Sequence, residues 1–127
     1  MRIVGIGVDV VEVERVRSLL ERRTSFRERV FTPQEIAYCD AKAMPAPYFA
    51  ARWAAREAAR KALGGVRGMR WQDVSVERSR SGAPRLALEG AARNRAEMLG
   101  VEEILVSFSH ERQMATAFCV AVSVDGG

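Results

Sequence analysis

The feature that most constrains the fold is the opening segment of the chain, Gly5-Ile6-Gly7-Val8-Asp9-Val10. Apolar, largely β-branched residues alternate over residues 2–10, which predicts a strand rather than a helix. The two faces of this strand differ: one carries Val4, Ile6, Val8 and Val10, and the other carries Ile3, Gly5, Gly7 and Asp9. Glycines beside a carboxylate leave room for a ligand or another backbone to approach closely. We expect one of these two to lie against the glycine face.

The rest of the chain predicts further helices and strands. Thr32 is expected to be the N-cap of a helix that runs to about Ala41, with Pro33 at N1 and Glu35 closing a capping box. Prolines at positions 45 and 47 are expected to break the chain before a stronger, alanine-rich helix. The predicted helices are 13–23, 33–41, 48–63 and 91–99, with a short turn or helix over 26–31, and the later strands are 71–77, 85–88, 104–109 and 115–124.

Length and composition place this pattern in an α+β fold. The chain has 127 residues, of which 48% are hydrophobic, and this suits a single compact domain over 1–127 with helices packed on a small antiparallel sheet. No apolar run approaches the roughly 20 residues that span a bilayer, and Asp9 and Glu12 are foreign to a secretory signal. Cys39 and Cys119 offer no C-x-x-C pair. We therefore expect a cytoplasmic protein without a structural zinc site and without membrane contact.

Two acidic residues stand in apolar surroundings. Asp9 ends the glycine face of the first strand, where a carboxylate must be hydrated, paired or bound to a metal, unless it caps the helix that follows. Glu57 shares a helical stripe with Phe49 and Trp53, since the three are spaced by four residues. A partly buried glutamate needs a cation. A plain salt bridge with Lys61 on the next turn is the alternative to a functional role.

The positive charge is almost entirely arginine. The chain has 20 basic and 16 acidic residues, and all but two of the basic ones are arginine. Arginine binds phosphate or carboxylate in a bidentate way, which favours an anionic partner, with codon bias as the alternative cause. Arg52, Arg56 and Arg60 lie four apart and form a cationic ridge that either binds a polyanion or faces solvent. The single histidine, His110, follows a strand end, where site residues often collect.

The last predicted strand has no polar face. Its apolar residues are Ala115, Ala117, Phe118, Val120, Ala121, Val122 and Val124. A strand of this kind needs cover from both sides. The chain's own helices and neighbouring subunits are the two possible sources of that cover.

Five blocks of sequence follow one another along nearly the whole chain. They are Gly5-Ile6-Gly7-Val8-Asp9-Val10 with Glu12 and Arg15; Phe31-Thr32 with Glu35, Tyr38 and Cys39; the run 49–64; Ser81-Gly82-Ala83-Pro84; and Ser107-Phe108-Ser109-His110 with Ala115 and Ala117. Their order and spacing resemble those of the bacterial holo-[acyl-carrier-protein] synthases, a branch of the 4'-phosphopantetheinyl transferases. One such block would be a weak signal, whereas five in order are a strong one.

The resemblance implies an activity, a cofactor and an assembly. Members of that family transfer the 4'-phosphopantetheine group of coenzyme A to a serine of apo acyl carrier protein, release adenosine 3',5'-bisphosphate and support fatty acid biosynthesis. The resemblance implies that Asp9 and Glu57 hold Mg²⁺, a hard ion that prefers oxygen ligands, and that Lys61 is catalytic beside them. The base for the serine proton stays open between Asp9, Glu57 and a metal-bound water. A homotrimer with the coenzyme site between subunits is also implied.

The resemblance assigns further residues to the two substrates. The expected coenzyme A residues are Arg52, Arg56, Lys61, Gly64, Gly65 and His110, with Arg56 and Lys61 neutralising phosphates and His110 at the nucleotide end. The expected residues for docking the acidic carrier protein are Arg15, Arg22, Arg23, Phe26 and Arg27. A cationic helix suits an acidic partner because charge raises the association rate, and a solvated arginine face is the alternative.

The sequence departs from the family pattern at two positions. Arg56 stands where the family usually has lysine, and Gly65 stands where many members have threonine. Arginine keeps the positive charge but exchanges no proton near neutral pH, so Arg56 serves only if that charge, and not a proton, is what the site needs. Two other classes of protein stay in view: an inactive scaffold, and an arginine-rich nucleic-acid-binding module. Against the latter, no RNP or helix-turn-helix signature is recognisable, and the Asp9 and Glu57 pair would repel phosphate without a metal.

Overall fold

A three-stranded antiparallel sheet with one long helix across it forms the centre of the molecule. The structure, a computed structural model, describes residues 1–124. In chain order the elements are β1 (Arg2–Glu12), α1 (Val13–Arg22), α2 (Phe26–Val30), α3 (Pro33–Asp40), α4 (Pro45–Ala62), a 3-10 turn (Trp71–Asp73), β2 (Val74–Arg78), β3 (Pro84–Leu88), α5 (Gly90–Leu99), β4 (Glu103–His110) and β5 (Met114–Ser123). β5 pairs antiparallel with β1 on one side and β4 on the other, and β2 and β3 form a separate hairpin. This confirms the α+β class, and residues 125–127 of the expected domain lie outside the described residues.

Several element boundaries differ from those expected. Helix α4 begins at Pro45 rather than at position 48, because proline is tolerated in the first helical turn, where its missing N–H has no partner anyway. The segment expected as a strand over 71–77 begins with the 3-10 turn, and β5 ends at Ser123 rather than at 124. The capping box of α3 is confirmed: the Glu35 backbone N–H donates to Thr32 Oγ1 at 3.3 Å, and the Thr32 N–H donates to Glu35 Oε1 at 2.9 Å. Among the described residues, no helix combines the length and apolar character needed to traverse a bilayer.

The glycine face of β1 lies against α4 at very short range. A Cβ placed on Gly7 would fall 2.0 Å from the carbonyl oxygen of Ala58, and a Cβ on Gly5 would fall 2.0 Å from that of Ala62. Both distances are far below van der Waals contact, so residues with side chains are excluded here unless the backbone moves. Of the two partners expected for this face, the structure shows the backbone of a helix.

The sheet has one covered face and one open face. On β5, the side chains of Ala115, Ala117, Cys119 and Ala121 are buried on the side where α4 packs. A shift in register between Ile3 and Gly5 turns Val4 towards this core as well, although the alternation placed it on the other face. The opposite side, which we call the open sheet face, carries Ile6, Val8, Val10, Leu105 and Phe118 with 43–60% of each residue exposed. The chain's own helix therefore covers only one side of β5.

A fully buried ion pair joins α3, α4 and β2. Arg56 donates from Nη1 to Glu35 Oε2 at 2.9 Å and from Nη2 to Oε1, and its Nε donates to the carbonyl of Trp71 at 3.0 Å. Glu35 also accepts from the backbone N–H of Val76 at 3.0 Å. Burial opposes ionisation of Glu35, but the hydrogen bonds and charge of Arg56 outweigh it and hold the pKa of Glu35 below its ordinary value. Arg56 therefore does not lie on a solvated ridge, since none of its side chain is exposed. Its expected contact with the coenzyme stays a prediction.

Removal of one partner of this pair should destabilise the fold strongly, because the other is left as an uncompensated buried charge. We expect Glu35→Gln and Arg56→Met each to lower the free energy of unfolding by about 3–5 kcal/mol, and the double variant to lose clearly less than the sum. Urea denaturation of the four proteins measures these values, and additive losses would contradict the coupling.

The same pair predicts an acid-dependent loss of stability. Since the pKa of Glu35 is lower in the folded protein, the stability that it contributes is complete above the ordinary value of 4.5 and is lost as the pH falls through the lowered value. Glu35→Gln should not show this part of the pH dependence.

Candidate active site in the cleft between β1 and α4

A cleft of about 420 Å³ lies beside the contact between β1 and α4. Asp9 on β1 and Glu57 on α4 both line it, and Glu57 directly precedes Ala58, whose carbonyl meets Gly7. We call this space the acidic cleft; its lining residues are Asp9, Val10, Val11, Glu12, Arg15, Trp53, Glu57, Trp71 and Met114. Asp9 lies inside β1, and the N-cap of α1 is Glu12. The alternative that Asp9 caps this helix is therefore wrong.

Each of the two carboxylates is paired with a cation from the end of α4. Lys61 Nζ donates to Asp9 Oδ1 at 3.3 Å and to the carbonyl of Val8 at 3.0 Å. Arg60 donates from Nη2 to Glu57 Oε2 at 3.0 Å and from Nε to Oε1 at 3.4 Å. The hydrogen bond and charge of Glu57 raise the pKa of Arg60 above its ordinary value. The alternative of a salt bridge between Glu57 and Lys61 is therefore not found: Glu57 pairs with Arg60, and Lys61 pairs with Asp9.

The donor set of the acidic cleft suits a hard divalent cation. Within residues 1–124, no group of three or more His, Cys, Asp and Glu side chains stands close enough together to hold a metal ion. Asp9 and Glu57 supply carboxylate oxygens, and their side chains keep 18% and 21% of their surface exposed. Mg²⁺ is commonly bound by one or two protein carboxylates, with waters and substrate phosphates as its other ligands. The pair therefore fits Mg²⁺ shared with a substrate and does not fit a closed, all-protein metal site.

Two tryptophans form the apolar wall of the acidic cleft. The rings of Trp53 and Trp71 meet edge to face with centroids 6.1 Å apart, and the guanidinium of Arg15 lies 5.7 Å from the ring of Trp53. Trp53 was expected to share the stripe of Glu57, and it does. Trp71 was missed because it comes from a distant 3-10 turn that no local pattern connects with the cleft. Arg15 was assigned to the carrier surface, yet it also lines the cleft.

A second group of cations surrounds two tyrosines on the other flank of α4. Three cations lie 4.5 Å from the centroid of the Tyr38 ring: Lys42 Nζ and the guanidinium carbons of Arg52 and Arg78. The Tyr48 ring lies 4.5 Å from the ring of His110. We call these residues the cationic–aromatic cluster: Tyr38, Lys42, Tyr48, Arg52, Arg78 and His110.

The residues expected to contact coenzyme A lie in different parts of the structure. Arg52 is 2% exposed and donates to the Tyr48 carbonyl at 3.2 Å, so it does not belong to a solvated ridge. Arg52 also lines a separate cavity of about 320 Å³ together with Tyr38 and Arg78. Within the described part of the chain, Arg52, His110 and Lys61 do not line the acidic cleft. Lys61 contacts Asp9, which does line it. The assignment of these residues to coenzyme A stays a prediction.

Gly64 and Gly65 form the turn that ends α4. Their φ angles are +72° and +91°, a conformation that favours glycine over residues with a side chain. They line a third cavity, of about 750 Å³, together with Arg67 and Arg95. Arg95 Nε donates to the carbonyl of Leu63 at 3.0 Å. The expected role of the two glycines in coenzyme binding is not tested by this geometry.

The residues expected to dock a carrier protein fall into three environments. Arg22 and Arg23 are exposed at the end of α1. Phe26 packs on Trp53 with ring centroids 5.2 Å apart, and Arg27 pairs with Asp40 and lies over Phe49. Arg15 faces the acidic cleft. A wider groove of about 830 Å³ between α1 and the start of α4 shares Glu12 and Met114 with that cleft.

The sequence and the fold both resemble proteins of known family. The chain matches the family model of the 4'-phosphopantetheinyl transferase superfamily over residues 5–119. It is 48% identical to a holo-[acyl-carrier-protein] synthase of Anaeromyxobacter sp. (strain K), over 98% of this chain and 97% of that protein. Among solved structures, it resembles the holo-ACP-synthase of Plasmodium yoelii, with a TM-score of 0.85 and 29% identity over 98% of each chain. It also resembles the Helicobacter pylori holo-[acyl-carrier-protein] synthase in complex with coenzyme A, with a TM-score of 0.79 and 28% identity over 92% of this chain and 99% of that one.

The family match begins at Gly5, at the start of the glycine face, and ends at Cys119 in β5, so it spans both elements that carry the two carboxylates as well as the sheet beneath them. On this basis the chain belongs to the 4'-phosphopantetheinyl transferase superfamily.

Proposed function

We propose that this chain transfers the 4'-phosphopantetheine group of coenzyme A to a serine of apo acyl carrier protein, releasing adenosine 3',5'-bisphosphate, in cytoplasmic fatty acid biosynthesis. The observation that carries the proposal is the acidic cleft, in which Asp9 and Glu57 face one space in a member of this transferase superfamily. The names of the relatives support the carrier protein as acceptor, and the coenzyme A complex of the Helicobacter pylori protein supports the donor.

Asp9 and Glu57 hold Mg²⁺ in this proposal. When bound, the ion polarises the pyrophosphate of coenzyme A and neutralises the charge that develops on it. The serine hydroxyl attacks the phosphorus that bears the pantetheine arm, and the bond from that phosphorus to the bridging oxygen breaks, so that this oxygen leaves with adenosine 3',5'-bisphosphate. The serine proton passes to a base, for which Asp9, Glu57 and water are the candidates. Phosphoryl chemistry of this kind depends mainly on positioning and on positive charge. Lys61 supplies such a charge at a defined place, because its Nζ is held by the Val8 carbonyl as well as by Asp9.

The site is completed by a neighbouring subunit of a homotrimer in this proposal. The open sheet face supports an assembly, since five apolar side chains on three adjacent strands stay exposed in the single chain and such patches mark interaction surfaces. The cations expected to bind the coenzyme lie in two separate places on one chain, which supports a site shared between two subunits. Lys61 contacts Asp9 of the acidic cleft, and Arg52 and His110 belong to the cationic–aromatic cluster. Coenzyme A carries a pyrophosphate and a separate 3'-phosphate on its ribose, so in this proposal the pyrophosphate contacts Lys61 of one subunit and the 3'-phosphate contacts the cluster of the next.

The acidic carrier protein docks on α1 and the adjoining groove in this proposal. Arg22 and Arg23 are exposed, and the groove shares its lining residues Glu12 and Met114 with the acidic cleft. A serine presented along this path reaches the two carboxylates. The nucleic-acid-binding alternative is weakened, because Arg52 and Arg56 of the expected cationic ridge are buried.

Mass spectrometry of apo carrier protein tests the activity. After incubation with the enzyme, coenzyme A and Mg²⁺, we expect the carrier to gain the mass of one phosphopantetheine, and a chelator should prevent the gain. Asp9→Asn and Glu57→Gln should slow this step by about 100-fold or more, since even residues that only support metal ligands cost 10–100-fold. Glu97→Gln, an exposed carboxylate on α5, is the matched control and should retain the rate. Equal rates for all proteins at limiting Mg²⁺ would end the metal-ligand assignment.

Charge reversal on α1 tests the docking surface. Arg22→Glu should raise the KM for carrier protein by about tenfold and leave that for coenzyme A unchanged, and salt should shrink the effect because exposed charges are screened over about 8–10 Å. Arg15→Glu should impair the use of both substrates, since Arg15 also lines the acidic cleft. Arg93→Glu on α5 is the matched control. An equal effect of Arg22→Glu on both substrates would argue against a docking role.

Mixed assemblies test the shared site. Chains with Glu57→Gln and chains with His110→Ala should each be nearly inactive alone. Refolding the two variants together should restore activity, in proportion to the fraction of subunit interfaces that combine an intact Glu57 with an intact His110. Sedimentation should find a trimer at the assay concentration. An active monomer, or mixtures no better than either variant, would contradict the proposal.

A further inference from the structure

Arg60 engages both oxygens of the Glu57 carboxylate. Its Nη2 lies 3.0 Å from Oε2 and its Nε lies 3.4 Å from Oε1, so the guanidinium meets the carboxylate through two neighbouring donors, as bidentate pairs do. Arg60 is one helical turn beyond Glu57, and its side chain is 39% exposed. It does not line the acidic cleft in the described part of the chain. The function proposed above gives Arg60 no role.

A metal ion and Arg60 make opposing demands on Glu57. An oxygen that accepts a hydrogen bond from a guanidinium has less electron density and fewer free lone pairs for a cation. A fixed positive charge a few ångströms away also repels a divalent ion, by an energy that rises as the surroundings become less polar. Lys61 likewise donates a hydrogen bond to Asp9, but it also donates one to the Val8 carbonyl, which holds it in place. Within residues 1–124, the Arg60 side chain has polar contacts with Glu57 only, so it is the partner that is displaced more easily.

We propose that Arg60 is an internal counter-ion that competes with the divalent cation for Glu57. In the metal-free protein it offsets the negative charge of the cleft, and metal binding requires it to leave the carboxylate. Arg60 thereby sets the metal affinity of the site below what Asp9 and Glu57 alone would give. This inference rests on the proposed function, because it takes Glu57 as a metal ligand.

Metal titration without substrate tests the inference. Mn²⁺ serves as the probe, followed by calorimetry and by tryptophan fluorescence, which is specific here because both tryptophans of the chain line the acidic cleft. We expect Arg60→Ala to bind Mn²⁺ about three- to tenfold more tightly than the unchanged protein, from the loss of an ion pair and of charge repulsion. Arg93→Ala, which breaks the exposed pair of Arg93 with Glu97 on α5, is the matched control and should leave the affinity unchanged. Circular dichroism checks that each variant is folded.

The outcomes separate this inference from the function on which it rests. If Mn²⁺ binds the unchanged protein, Glu57→Gln weakens it, and Arg60→Ala binds equally or less tightly, the inference is overturned and the metal site stands. If Glu57→Gln has no effect on Mn²⁺ binding, or if no Mn²⁺ binds even when coenzyme A is present, both are overturned. Tighter binding by Arg60→Ala together with weaker binding by Glu57→Gln supports both.

Discussion

The contact between β1 and α4 is the constraint on which the rest of the structure depends. Gly5 and Gly7 let the carbonyls of Ala58 and Ala62 come to the place where a side chain would otherwise stand. The close approach of these carbonyls to β1 fixes where α4 crosses the sheet. It also brings Glu57 to the space beside Asp9, although the two residues are far apart in the sequence. A larger residue at position 7 would act on the fold and on the site at once, since both use the same approach.

The charges of the molecule fall into distinct roles that composition alone does not reveal. An excess of arginine suggested an anionic partner. However, Arg56 forms a buried ion pair with Glu35, and Arg60 forms an ion pair with Glu57. Arg17 likewise pairs with two glutamates on its own helix. The proposed function assigns the anionic substrate to Lys61, which contacts Asp9, and to the cationic–aromatic cluster, in which Arg52 is buried. The function of the positive charges therefore depends on where each cation lies and with what it is paired, and not on the number of arginines.

Local patterns in the sequence were enough for the class of fold. They also marked Asp9 and Glu57 as candidates, whereas the role of these two residues as metal ligands came from the family resemblance and stays a prediction. Alternation identified β1, and the capping box identified the start of α3, because both depend on neighbouring residues. The partner of Arg56 was not predictable in this way, since Glu35 lies on another helix and only the packed fold brings them together. The same holds for Trp71 in the cleft and for Arg60 as the partner of Glu57, where spacing allowed Lys61 equally well. The sequence also predicted that β5 needs cover on both sides, and α4 provides it on one.

The most direct test of this account is where a divalent cation binds. Crystals grown with coenzyme A and Mn²⁺, measured at the manganese absorption edge, would locate the ion from its anomalous scattering. The account predicts one strong peak within coordination distance of an oxygen of Asp9, an oxygen of Glu57 and the coenzyme pyrophosphate. A metal bound elsewhere, or a coenzyme whose pyrophosphate lies away from these two carboxylates, would contradict it.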